Sequence, residues 1–522
     1  VPLLDIPEYF NAATAFIDRH LSEGHGDRVA LRFGQQSLTY AQVAASVNRV
    51  GNMLRRLGVR PEERVLLVVL DSPAFVYSFW GAIKIGAVPV PVNTFLRTEE
   101  YAYLLHDSRA TTLIASSEIW PEVASVTSPW LRHRLVTDKP AGFVTGERAS
   151  EVSFLEDLME REAPSLEPEL THRDDVALWL YSSGSTGTPK GVLHLHRDLP
   201  YCAETYAREV LALGPDDITL AAPRLFFAYG LGGGLSFALY AGGTAVLVPE
   251  RPTPEGMFLA IQAQRPTVFF GVPTLYAAML QVKEAEKKYD LSSLRLCVSA
   301  GEPLPAELFI RWRERFGVEI LDGIGTTEAL HIFLSNRPGQ VRPGSSGQPV
   351  PGYDIRVVDE QGQEVRQGEI GDLLVKGGSI TTGYWHRLEA TRQALHGEWL
   401  RTGDKYYQDA EGVFWYCGRS DDMLKVSGQW VSPAEVEGLL FQHPAVLEAA
   451  VVGWEDENRL IKPKAFVVLK AGYAPSLSLA EELQRFVKER TLPHKYPRWV
   501  EFVAELPKTA TGKIQRYKLR AS

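Results

Sequence analysis

Tyr181-Ser182-Ser183-Gly184-Ser185-Thr186-Gly187-Thr188-Pro189-Lys190-Gly191 follows Asp175-Val-Ala-Leu-Trp-Leu180, an apolar run that reads as a buried strand. Beyond Tyr181 the stretch carries no bulky side chain. Its glycines let the backbone turn tightly and bring N–H groups toward an anion, its Ser and Thr hydroxyls add donors, and Lys190 adds a mobile positive charge. This is equipment for holding a polyphosphate. A Walker A loop needs G-x-x-x-x-G-K-[ST] before a helix. Here Lys190 follows proline and precedes glycine, so that register fails. A plain Gly/Ser linker suits neither the strand in front nor the internal Pro-Lys.

The surrounding chain sets the scale. Its 522 residues exceed what one core usually serves, so at least two domains are expected. Hydrophobic content of 45% and charged content of 23% are those of a globular protein, and a net charge of −9 argues against a nucleic-acid partner. Cys202, Cys297 and Cys417 are scattered and odd in number, which gives neither a disulfide framework nor a metal spacing and fits a reducing cytosol. Asp5, Glu8 and Asp18 interrupt any signal-like start. The most apolar stretch, Phe75 to Val92, is broken by Lys84 and two prolines, so no membrane span is expected. These features predict a soluble protein of the cytoplasm.

Residues 1–175 alternate helical and strand patterns. Thr39 to Gln42 reads as a capping box, with Val43, Val47, Val50, Leu54 and Leu57 behind it at helical spacing and Gly58 as the stop. Val65 to Leu70 reads as a buried strand and Phe75 to Ile85 as a packed helix; the whole is α/β scaffold. Further on, Ala238 to Val248 and Thr267 to Phe270 read as strands, separated by a helix over Pro254 to Gln264. From about residue 340, strands punctuated by Gly, Pro and Asp (Tyr353 to Asp359, Gly371 to Lys376, Val413 to Cys417) predict a small β-rich subdomain. Ser432-Pro433-Ala434-Glu435 marks a helix start within a last, small α+β unit. Phe226-Phe227-Ala228-Tyr229-Gly230, with the glycines after it, has two readings. It is aromatic core beside a turn, or a place where a flat apolar group approaches the backbone.

Four stretches occur in one order: the 181–191 loop, Trp399-Leu-Arg-Thr-Gly-Asp404, Gly418-Arg419-Ser420-Asp421-Asp422-Met423-Leu424-Lys425-Val426-Ser427-Gly428, and Gly512-Lys513 in a basic tail. Together they resemble the adenylate-forming superfamily of acyl-CoA synthetases, adenylation domains and firefly-type luciferases. The 226–232 text and His331-Ile332-Phe333-Leu-Ser-Asn336 look most like benzoate-CoA ligases. The resemblance implies a multi-subdomain N-terminal domain over 1–420 and a mobile C-terminal domain over 421–522, hinged at Asp421. It implies that Ser182, Ser183, Gly184, Ser185, Thr186, Gly187 and Lys190 hold the phosphates of ATP. Gly301, Glu302 and Pro303 would lie near adenine, Asp322, Gly323 and Ile324 beside the α-phosphate, and Asp404 at the ribose, with Arg419 also among the nucleotide-binding residues. Thr327 would donate to phosphate and Glu328 would hold Mg²⁺, a hard cation that prefers oxygen ligands. Phe227, Ala228, Tyr229, Gly230, Gly325, His331 and Ile332 would border the acyl pocket. Phe227 stands where amino-acid-activating members place an aspartate for the substrate ammonium, which points to an acid lacking an α-amine. Ile324 and Trp430 stand where many relatives carry tyrosine and arginine.

The implied reaction joins a small aromatic acid to coenzyme A through an acyl-adenylate. Lys513 would serve the first half-reaction, and Lys425, Ser427 and Gly428 the second, after rotation at Asp421. Acetylation of Lys513 by a lysine acetyltransferase would be a regulatory switch. Other readings stay open: a ligase for a small aliphatic or heteroaromatic acid, an adenylation domain loading a carrier protein, a luciferase-like oxygenase, or a non-catalytic nucleotide-binding module.

Overall fold

The computed structural model describes residues 4–138, 152–183, 188–420, 422–426, 429–457, 460–492, 494–508 and 514–520. The chain is mixed α/β, with a large N-terminal domain and a small C-terminal one. The largest sheet in the N-terminal domain has nine strands, in the order 348–349, 332–335, 320–325, 296–299, 268–271, 218–221, 244–247, 29–33 and 36–39. Its inner strands run parallel and its outer ones antiparallel. Strands covered on both faces need apolar residues at every position. Val268–Gly271 and Leu296–Ser299 supply them and are buried throughout. The second sheet has five parallel strands, in the order 88–91, 64–68, 112–116, 133–137 and 152–154.

Local signals account for many of the helices. Thr39 caps Tyr40–Arg56 with a reciprocal pair: Gln42 N donates to Thr39 Oγ1 (3.3 Å), and Thr39 N donates to Gln42 Oε1 (2.9 Å). Thr253 caps Pro254–Gln264, the helix expected there. One expectation needs correction. Ala238 to Val248 is not a single strand, because Phe237–Ala241 ends a helical run that starts at Ala228, and only Thr244–Leu247 is strand. Gly242, at φ +77°, closes that run in the left-handed conformation glycine favours.

Asp354–Val358, Gly371–Lys376, Leu395–His396, Trp399–Gln408 and Phe414–Arg419 form the small antiparallel sheet predicted after residue 340. The C-terminal domain is α+β. Ser432 Oγ accepts from Glu435 N to start the helix Pro433–Phe441, and Val446–Glu455, Ile461–Leu469 and Trp499–Phe502 make its sheet. Among the described residues, no helix is long and apolar enough to cross a membrane.

Candidate active site

Val176–Ser183 pairs antiparallel with Pro189–Leu195, Tyr181 facing Gly191 and Ser182 facing Lys190. The glycine-rich loop therefore joins two strands, where a Walker loop would lead into a helix. Ala177 to Leu180 are buried, so the hairpin stands on the core. Gly184, Ser185, Thr186 and Gly187, and the side chain of Ser183, lie outside the described residues.

The loop end of the paired strands meets Glu328. Ser182 Oγ (3.3 Å) and Tyr384 OH (2.9 Å) both donate to Glu328 Oε1, and Lys190 Nζ lies 4.3 Å above the Tyr384 ring. Both of these Glu328 partners are neutral hydroxyls, so they orient the carboxylate without cancelling its charge. That suits a hard cation. Burial first, and then Glu328, push the Tyr384 phenol well above its usual range, so it stays a donor. The turn that carries Thr327 and Glu328 is pinned from two sides. His194 Nε2 lies 2.7 Å from Thr327 O and His194 Nδ1 3.0 Å from Asp198 Oδ2, while Thr381 N donates to Glu328 O (2.8 Å). Since Thr327 O only accepts, His194 Nε2 donates to that carbonyl.

Tyr384 arrives on a strap that runs along the second strand of the hairpin. Trp385 N donates to Gly191 O (2.8 Å), Leu193 N to Gly383 O (3.2 Å) and Thr381 Oγ1 to Leu193 O (2.7 Å). Trp179 and Trp385 pack with ring centroids 4.7 Å apart. Neither His194 nor Tyr384 is signalled by any local motif. Both are recognised only once the strap lies on the hairpin.

The aromatic segment sits at the carboxyl ends of the parallel strands, where open α/β sheets place their ligands. Tyr229 OH lies 3.0 Å from both Gly271 O and Val298 O, so the hydroxyl anchors the segment to the sheet. Phe227, Ala228 and Tyr229 are half-buried; Phe226 is buried, its ring centroid 4.3 Å from that of Phe227. The glycines fit the protein's own groups. A Cβ on Gly230 would meet Arg224 O at 2.0 Å, and one on Gly232 would meet the His331 ring at 2.3 Å. Asp71 secures the start of the segment, taking Leu225 N on Oδ1 (3.2 Å) with Arg224 Nη1 3.6 Å from Oδ2.

His331 and Ile332 are buried, and Gly325 lies under the His331 carbonyl. Burial pushes the His331 imidazole down to about 3, so it is neutral, with Nε2 3.4 Å from Tyr229 O. Asp322 is also buried, and burial pushes its carboxyl up to about 8. Its Oδ2 accepts from Leu304 N (3.3 Å), which ties the exposed Gly301–Pro303 turn, with Glu302 at its centre, to the strand that carries Gly323 and Ile324. The Asp322 side chain is thus turned into the protein. Gly301, at φ +94°, makes that turn in the left-handed region.

Asp404 is not in a simple turn; it lies on Trp399–Gln408, opposite Arg419. Arg419 Nη1 donates to Asp404 Oδ1 (3.1 Å) and to Thr402 O (3.0 Å), so a buried carboxyl group is paired with a half-exposed guanidinium. Asp421, Ser427, Gly428 and Lys513 lie outside the described residues, as does the side chain of Lys425, whose backbone pairs with Trp430 in a short hairpin. Asp422 ties that region to the chain end through Arg520 Nη2 and, at 4.0 Å, Arg516 Nη1.

Residues 18–385 match the AMP-binding enzyme family, and residues 435–513 match the AMP-binding enzyme C-terminal domain. The chain is 50% identical over 525 residues to a benzoate–CoA ligase of Thauera aromatica, covering 100% of this chain and 98% of that one. It is 47% identical over 524 residues to a 4-hydroxybenzoate–CoA/benzoate–CoA ligase of Rhodopseudomonas palustris, covering 100% and 95%. The crystal structure of the anthranilate CoA ligase AuaEII in complex with anthranoyl-AMP superposes with a TM-score of 0.93 at 46% identity, covering 100% and 98%. With both of its domains matched in order and relatives aligned from end to end, the chain belongs to the AMP-binding enzyme family.

Proposed function

We propose that the protein is an ATP-dependent, AMP-forming ligase that joins a small aromatic carboxylic acid of the benzoate type to coenzyme A. The observation that carries this reading is the convergence of Ser182, Lys190 and Tyr384 around Glu328, beside an aromatic segment set at the strand ends. Two whole-length relatives named for benzoate support the acid.

The acid's carboxylate attacks the α-phosphorus of MgATP, forming a carboxyl–phosphate anhydride and releasing pyrophosphate. The CoA thiolate then attacks the carbonyl carbon, and AMP leaves. In the first step two anionic groups must meet. Ser182, Ser183, Gly184, Ser185, Thr186, Gly187 and Lys190 hold the phosphates, Thr327 donates to the α-phosphate, and Glu328 holds the Mg²⁺ that enters with the nucleotide. Gly301, Glu302, Pro303, Asp322, Gly323 and Ile324 wall the nucleotide, those with inward side chains acting through backbone. Asp404, oriented by Arg419, accepts from the ribose hydroxyls. Phe227, Ala228, Tyr229, Gly230, Gly325, His331 and Ile332 shape the acyl pocket, the buried ones as its backing.

Lys513 bridges carboxylate and phosphate for the first step. Rotation at Asp421, between domains 1–420 and 421–522, withdraws it and brings Lys425, Ser427 and Gly428 to the thioester step. Acetylation of Lys513 removes its charge and stops adenylation. We place the enzyme in the cytoplasm, where both ATP and CoA are at hand.

The test is a pyrophosphate-release screen of carboxylic acids, with and without CoA. Benzoate and its small ring-substituted derivatives should outcompete palmitate and phenylalanine, with CoA consumed. Efficient palmitate activation beside poor benzoate activation overturns the aryl assignment, and adenylation without turnover of free CoA favours a carrier-protein domain. Anthranilate belongs in the same screen as a second candidate acid, because a similar solved protein holds anthranoyl-AMP.

A further inference from the structure

Well before the phosphate-binding hairpin in sequence, the turn after Arg19–Ser22 gathers three metal-ligating side chains. His25 N donates to His20 O (2.7 Å), and Gly24, at φ +79°, closes the helix in a reversed turn that brings His25 back over the last helical residues. The ligating atoms of His20, Glu23 and His25 lie within 4.8 Å of one another, and His25 Nδ1 is 3.6 Å from Glu23 Oε2. Ligands bound to zinc at tetrahedral angles stand about 3.3 Å apart, since each bond is about 2.0–2.1 Å. Binding would draw the ligating atoms inward by up to about 1.5 Å to meet that spacing.

His20 supplies an independent indication. It is 2% exposed, and its Nε2 lies 2.6 Å from Leu239 O. A carbonyl only accepts, so Nε2 carries the hydrogen and Nδ1 presents a lone pair. That Nδ1 is buried and has no hydrogen-bond partner among the described residues. A backbone carbonyl on the far ring nitrogen is how metal-ligating histidines are usually oriented. Arg19 lies close by. It donates to Tyr240 O, lies 4.9 Å over the Tyr240 ring, and approaches Glu23 at Oε1 (3.8 Å), the oxygen other than the one nearest His25.

We propose that His20 Nδ1, a Glu23 carboxylate oxygen and His25 bind one divalent transition-metal ion of the zinc type, distinct from the Mg²⁺ that accompanies ATP. Two imidazoles and one carboxylate suit zinc and its neighbours and are a poor set for Mg²⁺ or Ca²⁺. Through the His20 contact to Leu239, the ion clips the N-terminal helical segment to the helix Phe237–Ala241 behind the acyl pocket.

The test uses the full, untagged chain, stripped with a chelator and titrated with Co²⁺ and Zn²⁺ in the absence of nucleotide. One equivalent of Co²⁺ should give a visible ligand-field band that Zn²⁺ displaces and excess Mg²⁺ does not. Glu23 and His25 are both about half exposed, so His25→Ala and Glu23→Gln should fold normally, as far-UV circular dichroism will show. Each should weaken Co²⁺ binding by ~10-fold or more, in line with the effect of disturbing a metal site's supporting groups. Wild type should also melt at a higher temperature with Zn²⁺ than with chelator, a difference both variants lose. Absence of the cobalt band, or a band and affinity unchanged in both variants, overturns the proposal.

Discussion

Glu328 shows how much one carboxylate depends on its donors. Tyr384→Phe deletes the shorter of its two hydroxyl contacts and leaves the ring under Lys190. A hydrogen bond to a charged group contributes about 1.5–3 kcal/mol, so the MgATP requirement for pyrophosphate release should rise on the order of ten-fold or more. An unchanged requirement in a folded variant would remove Tyr384 from the site. Asp404→Ala should raise the ATP requirement by a similar factor, bounded by the same energy per bond. Equal ATP titrations for variant and wild type would refute the ribose contact. Asp322 leads to a prediction about stability. Burial holds its carboxyl at about 8, while an unfolded aspartate titrates near 3.9. Between those values the folded chain keeps a proton that the unfolded chain has lost, so this group's contribution to stability falls as pH rises from about 4 to about 8. Asp322→Asn keeps a neutral acceptor for Leu304 N and should flatten the loss of stability between about pH 5.5 and about pH 8 in urea melts. Identical slopes would show that Asp322 contributes nothing to it.

At the level of elements, what was legible in the sequence was whatever short-range chemistry decides. The Thr39 box, the Ser432 helix start, the helix over Pro254 to Gln264 and the strand into the loop depend on neighbours a few positions apart, and each is where its residues indicate. Thr39→Ala should cost about 0.5–2 kcal/mol, the usual worth of such a cap. A drop in melting temperature with no change in adenylation would bear that out, and an unchanged melt would count against it. The run Ala238 to Val248 misleads because it is apolar throughout and has no period to separate helix from strand; only Gly242 marks the break. Of the candidate site, Glu328 and Asp404 stand in motifs that a linear reading can pick out, while their roles belong to the proposed function. Tyr384 and His194 were not, since their roles arise when segments far apart in sequence zip together. The inward burial of Asp322 also escaped a linear reading, because it depends on what the sheet packs over it.

For the whole molecule, the two lysines should separate the two chemical steps. Lys513→Ala should slow acyl-adenylate formation by ~10²–10³, the usual cost of removing a preorganised donor to developing charge. Supplied with ready-made benzoyl-adenylate and CoA, the same variant should still make thioester. Lys425→Ala should show the opposite bias. If Lys513→Ala slowed both half-reactions equally and Lys425→Ala slowed neither, alternation of the domains would have to be given up. The strap over Gly383–Trp385 also sets a rule for anyone splicing hybrids from this chain. Tyr384 reaches Glu328 only while Gly383 and Trp385 stay fastened to Leu193 and Gly191. A graft junction anywhere between the hairpin and the strap would fasten one parent's strand to the other's and leave the acid's donor to chance. Exchanged modules must carry both strands from a single parent.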